Sequence, residues 1–167
     1  MRSSASPLNP GAAGETVIGP GTSSMSGRAF FDSNVLIYLF DEGSPAKQAR
    51  ARELLDGHGR TGQIVLSPQV LQEFYVTVTR KLARPLTGEA ALAAVTHFSA
   101  YPLVPVDGST VLRAVQLHQS ASLSFWDALI IEAAMEGSCQ RVLSEDMQHG
   151  RRFGDLVIEN PFASLDP

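Results

Sequence analysis

The chain holds a single cysteine, Cys139, in its 167 residues. That excludes an intramolecular disulfide and a cysteine-built zinc cluster, and it suits a reducing cytoplasm. Lysine is nearly absent, with Lys47 and Lys81 set against 11 arginines. The arginine bias suits bidentate phosphate contacts, but it follows equally from a GC-rich genome. A long apolar run is missing too. Val35 to Phe40 is far short of the roughly 18 to 20 residues that a membrane span needs, so no membrane role is expected. Positive charge is not in excess. The formal net charge is −4, and the usual basic stripe of a nucleic-acid binder is lacking. Four histidines (His58, His97, His118 and His149) are scattered without ligand spacing.

What is present reads as one soluble globular domain. Apolar residues make up 44% and charged residues 18%, ordinary values for a folded domain. Residues 1–27 differ, being rich in Ser, Gly, Ala and Pro, with Arg2 and Glu15 their only charges. No helical or strand period runs through them, so a disordered extension is expected. They also lack the basic start and apolar core of a secretory signal. Met25 stands just before the first strand and is a candidate true initiator. The folded domain is expected over residues 28–167.

From Arg28 short apolar strands alternate with helical patterns. Strands are expected at Arg28–Phe31, Gln63–Leu66, Leu103–Val106, Arg141–Ser144 and Leu156–Glu159. Pro105 suggests an edge position for the third. Helices are expected over Val35–Phe40, from Ser44-Pro45 to Leu55 with Gly57, Gly59 and Gly62 ending it, and from Ser67-Pro68 through Val78. Further helices are expected over Thr87–Phe98, 109–120 and 125–136. Ser67 reads as an N-cap with Pro68 at the first helical position. Such alternation implies an α/β fold with a parallel sheet between helical layers. Ligands in such folds sit beyond the carboxyl ends of the strands.

Four acids fall near that rim. Asp32 follows the first strand at once. Asp146 comes two residues after the fourth strand, Glu73 lies in the helix after the second, and Asp127 lies in the first turn of a helix beginning near Ser124. Each has a plainer reading. Asp32 can cap a helix, Asp127 can complete a capping box with Ser124, and Asp146 can be a turn residue. Glu73 is harder to explain in this way, because it borders an apolar helix face and a carboxylate near a core is costly unless paired or metal-bound. Converging carboxylates repel, and their pKa values rise unless cations neutralise them. Hard oxygen ligands of this kind suit Mg²⁺ or Mn²⁺. Such an ion can activate a water toward a phosphodiester, and so no side-chain nucleophile is needed.

The acids sit in recognisable settings. Phe30-Phe-Asp-Ser-Asn-Val-Leu-Ile-Tyr38 resembles the opening motif of PIN domains. Gln72-Glu-Phe-Tyr75 resembles their second acidic motif, Ser124-Phe-Trp-Asp-Ala-Leu-Ile-Ile-Glu-Ala-Ala134 the third, and Val142-Leu-Ser-Glu-Asp146 the fourth. Order and spacing agree over about residues 28–162, and the nearest likeness is to VapC-type toxins. The resemblance implies a three-layer α/β/α fold with a five-stranded parallel sheet. It also implies an Mg²⁺- or Mn²⁺-dependent endoribonuclease, the toxin of a toxin–antitoxin pair, in the cytoplasm. It gives the metal role to Asp32 and Asp127 first, then to Asp146 and Glu73, with Asn34 and Ser144 orienting the carboxylates. RNA as substrate, a small antitoxin and a homodimer follow from the same likeness. Glu145 is read as a neighbour of the ligand Asp146.

RNA contacts are assigned to Arg80, Lys81, Arg151 and Arg152, with Arg84 beside the first pair. The plainer reading is helix C-terminal charge for the first group and a solvated loop for the second. Trp126 reads as a packing residue, with base stacking the alternative. A haloacid-dehalogenase-type phosphatase needs a second Asp where Asn34 stands. A receiver domain needs a late lysine, and none follows Lys81. A catalytically silent RNA- or partner-binding module is the remaining rival, and the intact acidic set speaks against it.

Overall fold

A computed structural model describes residues 27–165. The expectations for the N-terminal extension and for Met25 fall on residues outside that range. The first strand, β1 (Ala29–Phe31), is buried at all three positions. Burial on both faces is the mark of a central parallel strand. It pairs in parallel with β2 (Ile64–Val65) on one side and β3 (Arg141–Leu143) on the other. β5 (Leu156–Glu159) lies parallel beyond β3, and β4 (Arg152–Phe153) closes that edge, giving the order β2-β1-β3-β5-β4.

The sheet has the expected number of strands but not the expected set. β4 runs antiparallel to β5, so four strands are parallel and the fifth is not. It forms a hairpin across Gly154-Asp155, where Gly154 takes φ +59° at the first turn position. Glycine meets that demand without strain, as in a II′-type turn. The segment expected as the third strand makes only a one-residue parallel bridge, Leu103 to Leu66. Leu66 N–H donates to Pro102 O and Val104 N–H to Leu66 O. Pro105 has no N–H with which to continue the ladder.

Among the described residues six helices surround the sheet: α1 (Ser33–Tyr38), α2 (Pro45–Arg60), α3 (Pro68–Arg80), α4 (Gly88–Phe98), α5 (Gly108–Ser120) and α6 (Phe125–Glu136). α2 runs through Gly57 and Gly59 rather than stopping at Leu55. Glycine costs about 1 kcal/mol inside a helix. The extra turn buries His58 beneath Phe31, ring centroids 5.5 Å apart. Gly62, at φ +65°, makes the actual turn into β2. The main core joins the Phe40, Phe74 and Phe98 rings of α1's exit, α3 and α4 to the strands. A smaller cluster of Ala114, Ala128 and Leu129 holds α5 to α6.

Candidate active site

β1 delivers Asp32 to the carboxyl rim of the sheet. Its N–H continues the ladder by donating to Leu143 O at 3.0 Å. Its extended backbone (φ −72°, ψ 158°) then makes it the N-cap of α1. Asp32 Oδ1 accepts from Ser33 N–H at 2.6 Å, as an N-cap carboxylate does. Oδ2 accepts from Ser144 Oγ at 2.7 Å and from Asn34 Nδ2 at 3.1 Å. Ser144 directly follows β3, which is adjacent to β1. The strand order therefore brings together residues 112 positions apart.

The same Asn34 amide donates to Asp146 Oδ2 at 3.2 Å. Asp146 N–H donates to Ser144 Oγ at 3.3 Å. On the other side, Ser33 Oγ donates to Glu73 Oε2 at 3.0 Å. Gln69, one helical turn back on α3, donates from Nε2 to Glu73 Oε1 at 2.9 Å. Asp32, Glu73 and Asp146 thus belong to one hydrogen-bonded network, with Asn34 and Ser144 tying Asp32 to Asp146. Asp127 stands apart from it. Its backbone N–H donates at 3.0 Å to Oγ of Ser124, the residue that caps α6. Asp127, Asp146 and Arg151 together line a depression adjoining the network.

Burial dominates the electrostatics of Asp32. It pushes the carboxyl up from 3.8 to about 6, against the lowering effect of the Ser144 and Ser33 hydrogen bonds, and the charges of Glu73 and Asp146 push the same way. Among the described residues no cationic side chain hydrogen-bonds to Asp32, so its negative charge stands in a low-dielectric corner beside two like charges. That is a setting in which a divalent cation stabilises the ionised form. The donors are hard carboxylate oxygens, which suit Mg²⁺ or Mn²⁺. Among the described residues no group of three or more His, Cys, Asp or Glu side chains is arranged to hold an ion by itself. Mg²⁺ keeps several waters and takes one or two carboxylates directly, and Asp32 with Asp146 fits that pattern.

The network opens into a cleft of about 550 Å³ whose walls include Asn34, Glu73, Asp146, Lys81 and Trp126. Trp126 is 61% exposed, which corrects its reading as a packing residue. Lys81 lies in the cleft wall and Arg151 in the adjoining depression. Arg80 and Arg152 are exposed. Arg84 is exposed and pairs with Glu42 at 2.8 Å.

Sequence reasoning missed Ser33 and Gln69. Gln69 had a signal, since it stands four residues before Glu73 and so on the same helix face. It also missed the setting of Glu145, whose carboxylate meets Tyr38 and Lys47. Nothing local links those three positions.

A family model for the PIN domain matches residues 29–152. No curated protein sequence matches the chain significantly. Solved structures of similar fold include a toxin–antitoxin complex from Klebsiella pneumoniae, 20% identical, covering 80% of this chain and 97% of that one with a TM-score of 0.60. VapC20 of Mycobacterium tuberculosis, a sarcin-ricin loop cleaving toxin, is 21% identical over 71% of this chain and 91% of its own, with a TM-score of 0.56. VapBC2 of Rickettsia felis, bound to a DNA fragment from their promoter, is 14% identical over 78% and 96%, also at 0.56. At these identities the structural likeness carries the fold, and the family model covers most of the chain. The rim of carboxylates described above thus sits on the scaffold that the model identifies: the chain belongs to the PIN domain family.

Proposed function

We propose that the protein is a divalent-metal-dependent endoribonuclease and the toxin of a toxin–antitoxin pair. The observation that carries the reading is the sharing of one Asn34 amide by Asp32 and Asp146, with Glu73 joined to Asp32 through Ser33. Three acids held together at the carboxyl rim of a sheet, beside an open cleft, form a site for a hard cation and a phosphodiester. The cation, Mg²⁺ or Mn²⁺, supplies charge neutralisation and an acidified water. Asp32, buried and held by donors on Ser33, Asn34 and Ser144, is the fixed anion of the set. Asp146 is exposed and faces both the cleft and the depression beside Asp127, so it receives the ion from the solvent side. Glu73 and Asp127 flank the pair and act through water.

Lys81 and Arg151, on the two sides of Asp146, are placed to neutralise RNA phosphates. Arg80 and Arg152 extend that basic surface outward. A small antitoxin is the partner this reading requires, by analogy with the toxin–antitoxin complexes among the similar structures. The exposed apolar side chains Tyr75, Val76 and Leu92 on α3 and α4 offer a face for it or for a second copy, making a homodimer. Among the described residues no helix is long and apolar enough to cross a membrane, which accords with action in the cytoplasm.

The test is cleavage of RNA by the purified protein with Mg²⁺ or Mn²⁺. EDTA should abolish it. Asp32→Asn should lower it beyond the roughly 10- to 100-fold that loss of an orienting partner costs. RNA bound tightly but left uncut by the wild type under all these conditions would make the protein a binding module instead.

A further inference from the structure

Glu145 stands next to Asp146 in the chain, yet its carboxylate is turned away from it. One oxygen accepts from the Tyr38 hydroxyl at 2.5 Å, and the other is held by the Lys47 ammonium. Tyr38 ends α1, Lys47 opens α2, and the Lys47 ammonium also sits 5.4 Å from the centroid of the Tyr38 ring. The Glu145 and Lys47 side chains are about four-fifths buried. Tyr38 is itself braced edge-on against Phe162, ring centroids 4.8 Å apart.

The backbone of the same residue reaches the acids. Glu145 N–H donates to Asn34 Oδ1 at 3.3 Å. A carboxamide has one acceptor end and one donor end. With its oxygen engaged by Glu145, the nitrogen of Asn34 faces Asp32, Ser144 and Asp146. If the amide turned over, its oxygen would point at two carboxylates. A path of direct contacts therefore runs from Lys47 and Tyr38, through the Glu145 side chain and backbone, to the amide between Asp32 and Asp146.

We infer that Glu145 is a positioning residue rather than a metal ligand. Its side chain anchors the loop after β3 to α1 and α2, and its N–H sets the Asn34 amide that holds Asp32 and Asp146 in register for the cation. This inference rests on the metal-site reading above. It separates two adjacent acids of one loop: Asp146 serves the cleft, and Glu145 serves the scaffold.

Two expectations of opposite sign distinguish a positioning Glu145 from a ligand. Removing Lys47 takes a positive charge from the neighbourhood and releases the Glu145 carboxylate. If Glu145 were a ligand, Lys47→Met would leave Mn²⁺ affinity unchanged or raise it. As a member of the anchor, Lys47→Met should lower it.

The experiment is calorimetric titration of Mn²⁺ into the full, RNA-free protein. Glu145→Ala and Lys47→Met should each weaken binding by about tenfold, the low end of what loss of an orienting partner costs. The double variant should lose little more than either single one, because both changes break one unit. Tyr38→Phe, which removes one hydroxyl and keeps the ring on Phe162, should weaken binding by a smaller factor and guards against variants that fail to fold. Near-ultraviolet circular dichroism checks that each variant is native. Unchanged or tighter binding in Lys47→Met, or additive losses in the double variant, would overturn the inference alone. A wild type that binds no Mn²⁺ would overturn the metal-site reading and this inference with it.

Discussion

Asp32 is both the most buried acid of the network and its cap. The folded protein holds its pKa near 6 against an ordinary 3.8, chiefly through burial. A carboxyl raised in the folded state favours folding below its unfolded pKa and loses that contribution as pH climbs through the folded one. In metal-free protein its ionisation therefore costs stability across roughly pH 4 to 6, up to about 3 kcal/mol above that window. Asp32→Asn removes the charge and keeps an oxygen for Ser33 N–H. In EDTA at pH 7.5 the variant should melt above the wild type, and thermal scans at pH 4 should show the difference vanish. An equal gap at both pH values would mean that the acid is ionised in the fold at no cost. A second residue-scale prediction concerns Trp126, the only tryptophan in the chain. Exposed in the cleft wall beside Glu73 and Asp146, it is placed to stack on an unpaired base, a contact worth about 1–3 kcal/mol. Its emission should be quenched by an uncleavable oligoribonucleotide, and Trp126→Ala should raise KM well over fivefold with little change in kcat.

At the scale of elements, two caps that look alike in sequence differ in the fold. Thr87 caps α4 by accepting from Ala90 N–H at 3.2 Å. Ser67 occupies the same position before α3, but its hydroxyl makes no capping bond and is buried with no partner among the described residues. Thr87→Ala should cost about 1 kcal/mol in urea unfolding. Ser67→Ala should cost nothing or stabilise, since it deletes an unsatisfied polar group. A loss of 1 kcal/mol or more at Ser67 would contradict this assignment. The helices were largely legible in advance because apolar spacing and cap residues are local signals. The strands were not. β4 is too short for any periodicity to show, and its one cue was the Gly154-Asp155 pair. Leu103–Val106 has the composition of a strand, yet it bridges at one residue only. The carboxylate set was visible as two acids just after strands, Asp32 and Asp146, one in the first turn of a helix, Asp127, and one within a helix, Glu73. The joining of Asp32, Glu73 and Asp146 was not, because it depends on β1 lying between β2 and β3, which no short stretch of sequence encodes. Glu145 shows the same limit, since its partners come from two helices more than ninety positions away.

At the scale of the molecule, the layers meet closely at Gly137, the residue ending α6. A Cβ there would come within 2.9 Å of Val104 Cγ2, 3.0 Å of Val65 Cγ1 and 3.3 Å of Ala133 O. Both neighbours are β-branched and cannot easily turn aside. Gly137→Ala should therefore destabilise by about 1–3 kcal/mol, measured by urea unfolding, although its backbone (φ −72°) suits alanine. Neutral behaviour would mean that α6 can slide on the sheet.

The outer margins of the sheet carry a different consequence. Beyond β2, the carbonyl of Pro102 and the amide of Val104 already occupy the polar groups of Leu66. Beyond β5, the two-residue hairpin arm presents arginine and phenylalanine on a stub too short to template a neighbour. Exposed long strands invite other chains to add on, and these margins are blunted in the ways that prevent it. Copies of this protein are thereby steered away from endless edge-to-edge stacking, which leaves the helical faces as the surfaces through which copies can meet.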